Sequence, residues 1–169
     1  KTLQFPLNAA FNNQLIAVTR YLADCLQPDL TAPAYGDSDM TSYTSVMKKV
    51  VDYFGLEDVK YIVSNGAEGE EPDHTSVYYG GGTNKYLNLR DDWSKQGMML
   101  ATNYGFGDGK SHTHPDNMAI TMFAYGRALL VDNGRYNYSA GTIADWLRRT
   151  TEAHNVVNIN NTPQSNKHD

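Results

Sequence analysis

The chain has 169 residues, 40% hydrophobic and 20% charged, and a net charge of −5. This suits one folded domain or two small ones and argues against wholesale disorder. No apolar run approaches the roughly 20 residues of a membrane helix. Lys and Arg never occur more than two together, so a sequence-independent nucleic-acid binder is excluded as well. The single cysteine, Cys25, leaves no internal disulfide framework and no cysteine-rich zinc module. The chain opens at Lys1 with no charged segment leading into an apolar one, which reads as a processed chain or a fragment. Its 12 tyrosines and abundant Asn offer flat apolar faces with neutral hydrogen-bonding tips. Sugar surfaces suit that composition, and so does an ordinary secreted β-rich protein.

The first third reads as helical. Phe11, Leu15, Val18, Leu22 and Leu26 recur at helical spacing until Pro28 stops the run, and 27–39 has the Pro, Asp and Gly of a loop. A second helix places Tyr43, Val46, Met47, Val50 and Phe54 on one face, with Gly55 where a C-terminal cap belongs. A short third helix over 57–64 would bury Val59, Ile62 and Val63. These faces read as helix–helix core.

Near 65–73 a Gly/Glu/Pro-rich linker intervenes, and the helical period is lost beyond it. Strand-forming runs follow at 76–79, 85–90, 98–103, 118–125, 128–131 and 155–159. Turn signals separate them at 80–82, 105–110, Gly126 and Asn133-Gly134, and 160–169 reads as loop or a truncated strand. Helices followed by strands predict an α+β chain with a boundary near residue 70, hence segments 1–69 and 70–169.

The densest chemistry lies in His112-Thr113-His114-Pro115-Asp116. On an extended segment His112 and His114 project to one side and could share a site, although His pairs also arise in loops by chance. Asp132 closes an apolar strand and His154 opens another, places where an unpaired polar group is costly. Alone, Asp132 reads as turn chemistry and His154 as a satisfied strand-end histidine. With His114 they make a two-His, one-carboxylate set suited to zinc. No HExxH, calcium loop or phosphate-cradling Gly loop is present, and a cupin would need a Glu where Met118, Ala119 and Ile120 stand.

The ordered combination of 109–117, 124–138 and 152–157 resembles the heparinase II/III-like family, polysaccharide lyases acting on heparin, heparan and alginate. Gln27-Pro28-Asp29, Gly36-Asp37-Ser38 and 86–93 add to the resemblance. It implies the last helices of an (α/α) toroid followed by part of an antiparallel β-sandwich. It further implies one structural zinc on His114, Asp132 and His154, with His112 as the active-site histidine. The active-site tyrosine would be Tyr138, with Tyr136 second. His112 and His114 would then have to diverge, through a bend at Pro115 or local twist. Asn117 and Asn155 could orient ligands or serve as plain hydrogen bonders. Lys110, Arg135, Arg148 and Arg149 could meet an anionic sugar or simply keep the surface soluble.

The activity implied is β-elimination on an anionic, uronic-acid-containing polysaccharide by a secreted or periplasmic enzyme. The rest of the chain would be a needed partner, homo-oligomers are compatible, and no nucleic acid or membrane is involved. The 169 residues alone would be inactive. A non-catalytic glycan binder and a metal-free structural role for the four polar residues are the alternatives.

Overall fold

The computed structural model describes residues 8–81, 85–104 and 112–164. Three helices lead: α1 (Ala9–Asp24), α2 (Thr44–Phe54) and α3 (Glu57–Val63). Five strands follow: β1 (Val77–Tyr79), β2 (Lys85–Arg90), β3 (Met99–Tyr104), β4 (Ile120–Ala124) and β5 (Arg127–Leu130). A short helix, α4 (Ile143–Arg149), and a 3₁₀ turn over Thr151–Ala153 complete the order. The strands form one antiparallel sheet in the order β1-β2-β3-β4-β5. The chain is thus α+β, as its pattern predicts. Among the described residues no helix is long and apolar enough to cross a membrane.

Local chemistry accounts for the element ends. Asn8 caps α1 by accepting from the Phe11 amide at 2.8 Å. Gly55 ends α2 in the left-handed conformation, φ +65°, where a Cβ is disfavoured. Tyr125 and Gly126 both have positive φ and join β4 to β5 by the two-residue turn that strand twist favours. Turn 105–110 and residues 82 and 165–169 lie outside the described residues.

Ala23, Leu26, Met47, Val51, Leu56, Val59, Ile62 and Val63 form the helical core, and Trp93 from beyond β2 closes it. The helical stripes bury only in part. Val59, Ile62 and Val63 are buried as expected, whereas Phe11, Val18 and Val46 stand exposed. On α2 the inward pair is Met47 and Val51, one position round from Val46 and Val50. Val50 and Phe54 of the same stripe pack against the core from its edge.

Helices and sheet are joined by polar side chains. The last turn of a helix leaves carbonyls without intrahelical partners. Here Asn88 Nδ2 donates to the Asp24 carbonyl at 3.1 Å, and Arg90 Nη2 to the Leu26 carbonyl at 2.6 Å. The Arg90 guanidinium also lies 3.9 Å over the Trp93 ring. Burial pushes the Arg90 pKa down to about 10.

Two expectations need correction. Residues 155–159 form no strand: Val156 N bonds back to the His154 carbonyl at 2.9 Å, which turns the chain off a ladder, and Val157 and Ile159 are exposed. The loss of helical period beyond 73 hid α4. Thr142 caps it, but only Ala144 is buried, while Ile143 and Trp146 are exposed, so it has no apolar stripe to detect.

The side of α2 that faces inward can be tested by neighbouring truncations. Met47→Ala should cost about 2–5 kcal/mol in urea unfolding, because a 2%-exposed side chain leaves a cavity. Val46→Ala, at 61% exposure, should stay within about 0.5 kcal/mol of the parent. Equal losses would contradict this packing.

Candidate metal centre and histidine cluster

The site is assembled by the connection between α1 and α2. Tyr35 anchors it: its buried hydroxyl donates to the Ala101 carbonyl on β3 at 2.7 Å and lies 3.0 Å from Thr121 Oγ1 on β4. Gly36 follows with φ +56°, and a Cβ there would stand 2.7 Å from the His112 carbonyl oxygen. Only glycine fits so close an approach. The Gly36 amide donates to Asp116 Oδ2 at 3.1 Å, and the Asp37 amide to the His112 carbonyl at 3.1 Å.

His112 itself has φ +80°. This conformation is uncommon for a side-chain-bearing residue, and it breaks the alternation of an extended segment. The two histidines diverge, and the chain bends again at Pro115. The His112 side chain is 68% exposed and that of His114 3%.

His114 enters a buried cluster. Asp132 and His154 have fully buried side chains, with His154 Nδ1 2.8 Å from Asp132 Oδ2. The His114 and His154 rings lie 5.3 Å apart, centroid to centroid. One ligand atom from each of His114, Asp132 and His154 falls within 4.8 Å of the others. His114 Nδ1 and His154 Nε2 are buried with no hydrogen-bond partner. Buried polar atoms are nearly always satisfied. Two imidazole nitrogens and a carboxylate converging with unspent lone pairs are a donor set that fits a tetrahedral cation.

Neighbouring segments hold the trio in place. Asp132 Oδ1 accepts from the Gly134 amide at 3.0 Å. Asn133 Nδ2 donates to the Ala153 carbonyl at 3.0 Å, and Asn155 Nδ2 to the Val131 carbonyl at 2.8 Å. The Asn117 amide donates to Gln164 Oε1 at 2.8 Å.

Burial shapes the electrostatics. It lowers the His114 pKa, a pull that the Asp37 hydrogen bond opposes without reversing. Burial raises Asp116, with the neighbouring His154 acting the other way. Burial would also raise Asp37, but its hydrogen bonds with His114 and His112 outweigh that and hold it below the usual carboxylate range.

Tyr136 and Tyr138 are 58% and 53% exposed, and among the described residues neither hydrogen-bonds to the histidines. Tyr138 lies 5.5 Å from the guanidinium of Arg135 and 5.5 Å from that of Arg148. Arg135 Nη2 pairs with Asp39 Oδ2 at 2.6 Å and its amide donates to the Ser38 carbonyl at 3.0 Å, so the tyrosine segment rests on the same connection. Arg148 and Arg149 both pair with Asp145. Lys110 lies outside the described residues.

Sequence reasoning thus finds the metal-type trio and misses Asp37, which reaches both His112 and His114 from 75 and 77 residues away. Its only sequence signal is the Gly36-Asp37-Ser38 segment.

Residues 86–169 match the family model described as Heparinase II/III-like, C-terminal. No curated protein matches the chain. Among solved structures, a Heparinase III gene product aligns at 25% identity with a TM-score of 0.79, over 93% of this chain and 25% of that one. The heparan sulfate lyase HepC from Pedobacter heparinus aligns at 22% identity with a TM-score of 0.80, over 93% of this chain and 25% of that one. Another Heparinase III gives 21% identity and a TM-score of 0.77, over 93% of this chain and 28% of that one. For the last two the likeness is one of fold. The chain spans about a quarter of the length of the solved structures it matches.

The lowered His114 pKa has a signed consequence. An unfolded histidine titrates near 6.5, and below that pH the unfolded chain takes a proton that folded His114 resists. The His114 contribution to stability therefore falls on acidification. In chelator-treated protein, the stability of the parent relative to His114→Gln should decline between about pH 7.5 and 5.5. Urea unfolding at both pH values reads this, and a relative stability that rises on acidification would contradict the burial effect.

Proposed function

The chain belongs to the heparinase II/III-like family of polysaccharide lyases, and from that premise we propose that it is the metal-holding part of an enzyme that cleaves an anionic, uronic-acid-containing polysaccharide by β-elimination. Polymers of the heparin and heparan type are the first candidates, because solved relatives carry those names. Alginate is the second. Residues 1–69 would be the end of an (α/α) toroid and 70–169 the start of the sandwich. Substrates of this kind lie outside the cytoplasm, so the enzyme would be secreted or periplasmic.

The observation that carries this reading is the convergence of His114, Asp132 and His154 beside an exposed His112. His114, Asp132 and His154 would hold one zinc. When bound, zinc neutralises the buried carboxylate and fixes the two imidazoles, a structural service. The reaction itself asks three things of protein side chains. The C5 hydrogen of a uronate lies alpha to a carboxylate, so that charge must be neutralised, a base must take the proton, and an acid must protonate the departing glycosidic oxygen. His112 is the group of this chain that would meet the sugar, holding or moving a proton at its imidazole. Tyr138, with Tyr136 second, would supply a phenolic proton, and Arg135 and Arg148 beside Tyr138 would favour an anionic ligand. The product would be an unsaturated uronate.

The remaining groups would come from chain beyond these 169 residues, so this chain alone should form no product. Removing part of a cooperating set costs nearly as much rate as removing all of it. The test uses protein extended to the length of its relatives, incubated with heparan sulfate, heparin and alginate, and follows the ultraviolet absorbance of unsaturated uronate. His112→Ala should lower turnover at least about 100-fold while zinc content is unchanged. His114→Ala should lose zinc and stability together. Absence of product from all three polymers would favour a glycan-binding relative, and equal zinc loss in both variants would overturn the division of roles.

A further inference from the structure

One carboxylate touches both histidines of the His-x-His pair. Asp37 Oδ2 lies 2.8 Å from His112 Nδ1, and Asp37 Oδ1 lies 3.0 Å from His114 Nε2. The Asp37 side chain is 9% exposed and that of His114 3%, so the bond between them is shielded from competing water, while the bond to His112 lies at the surface. The contact is also held by backbone, through the Asp37 amide on the His112 carbonyl and the Gly36 amide on Asp116.

The chemistry of the partners then settles which nitrogen carries each proton. An ionised carboxylate only accepts, and a neutral imidazole has one N–H and one lone pair. Each nitrogen facing Asp37 must therefore be the N–H. For His114 this places the proton on Nε2 and leaves the lone pair on Nδ1, the buried atom without a partner. For His112 it places the proton on Nδ1 and leaves Nε2, on a 68% exposed side chain, as the basic nitrogen.

We propose that Asp37 is a positioning residue that sets the tautomer of both histidines, aiming the His114 lone pair into the metal centre and the His112 lone pair outward to the substrate side. The inference rests on the functional reading above for what the two lone pairs do, but the tautomers themselves are independent of it. A carboxylate behind a metal-binding histidine commonly tunes affinity 10–100-fold. Here the same carboxylate also orients a second imidazole, so ligand and substrate-facing groups would be set by one side chain.

The experiment compares the full chain with Asp37→Asn and Asp37→Glu by ¹⁵N-resolved imidazole NMR, above about pH 8 where exposed imidazoles are neutral, and by zinc titration calorimetry. The parent should show His114 protonated on Nε2 and His112 on Nδ1. Asn is nearly isosteric but offers one acceptor and one donor, so at least one histidine should change tautomer and zinc affinity should fall about 10–100-fold. Glu restores two acceptor oxygens and should recover part of both signals. Unchanged backbone amide shifts at Val59 and Ile62 would show that the helical core is intact. If Asp37→Asn proves unfolded, the tautomers of the parent and of Asp37→Glu decide the matter. Parent tautomers other than those stated overturn the proposal. So do unchanged tautomers in a folded Asp37→Asn with zinc affinity within about twofold of the parent. If the parent binds no zinc yet its tautomers are as stated and shift in Asp37→Asn, the metal reading fails and the positioning role stands.

Discussion

The His112 carbonyl oxygen lies where a side chain at position 36 would have to be, 2.7 Å from the Cβ that Gly36 lacks. Much of the site's architecture hangs on that contact. It brings the connection between α1 and α2 against the His-x-His segment, so that the Gly36 and Asp37 amides and the Asp37 carboxylate engage Asp116, His112 and His114. The same connection carries Ser38 and Asp39 to Arg135. One short stretch of helix-to-helix connection thus holds the segment before β4 and the segment after β5, which are far apart in sequence.

The connection can do this because it is tied down at two points before Gly36. Toward α1, Leu26 enters the helical core while Asn88 and Arg90 of β2 take up carbonyls at the helix end. Farther along, Tyr35 spans to β3 and β4. Asp24 adds a second polar tie, its buried carboxylate meeting His74 and the Tyr79 hydroxyl. Polar groups therefore weld helices to sheet at the seam beside the site. Breaking these bonds would make relative sliding costly, since an orphaned buried donor or acceptor costs about 1–3 kcal/mol.

Within the cluster the same cost points toward a ligand. Asp132 and His154 are shielded entirely from water, yet His154 Nε2 and His114 Nδ1 have no protein partner. A core could have met this burial with apolar residues at lower cost. Retaining two unspent imidazole nitrogens beside a carboxylate makes sense where a cation takes up the lone pairs. The lowered His114 pKa agrees, because a neutral imidazole is the ligating form.

Periodicity and residue type alone determined the helix-then-strand order, the core residues Val59, Ile62 and Val63, and the metal-type trio. Those features are written in local spacing, in turn residues, and in the cost of leaving His or Asp at the mouth of an apolar run. What they could not determine was which part of a wide apolar stripe is covered, because that depends on neighbours: Val46 and Met47 are adjacent in sequence and opposite in exposure. Helix α4 and the turned 154–158 segment were equally illegible, one for want of an apolar stripe and the other because a local hydrogen bond overrode strand-forming residues. The divergence of His112 from His114 involves a positive φ at His112, a backbone state that no side-chain pattern encodes. Asp37 entered the site only when the chain closed over 75 residues, since a carboxylate in a loop has no local partner to betray its role.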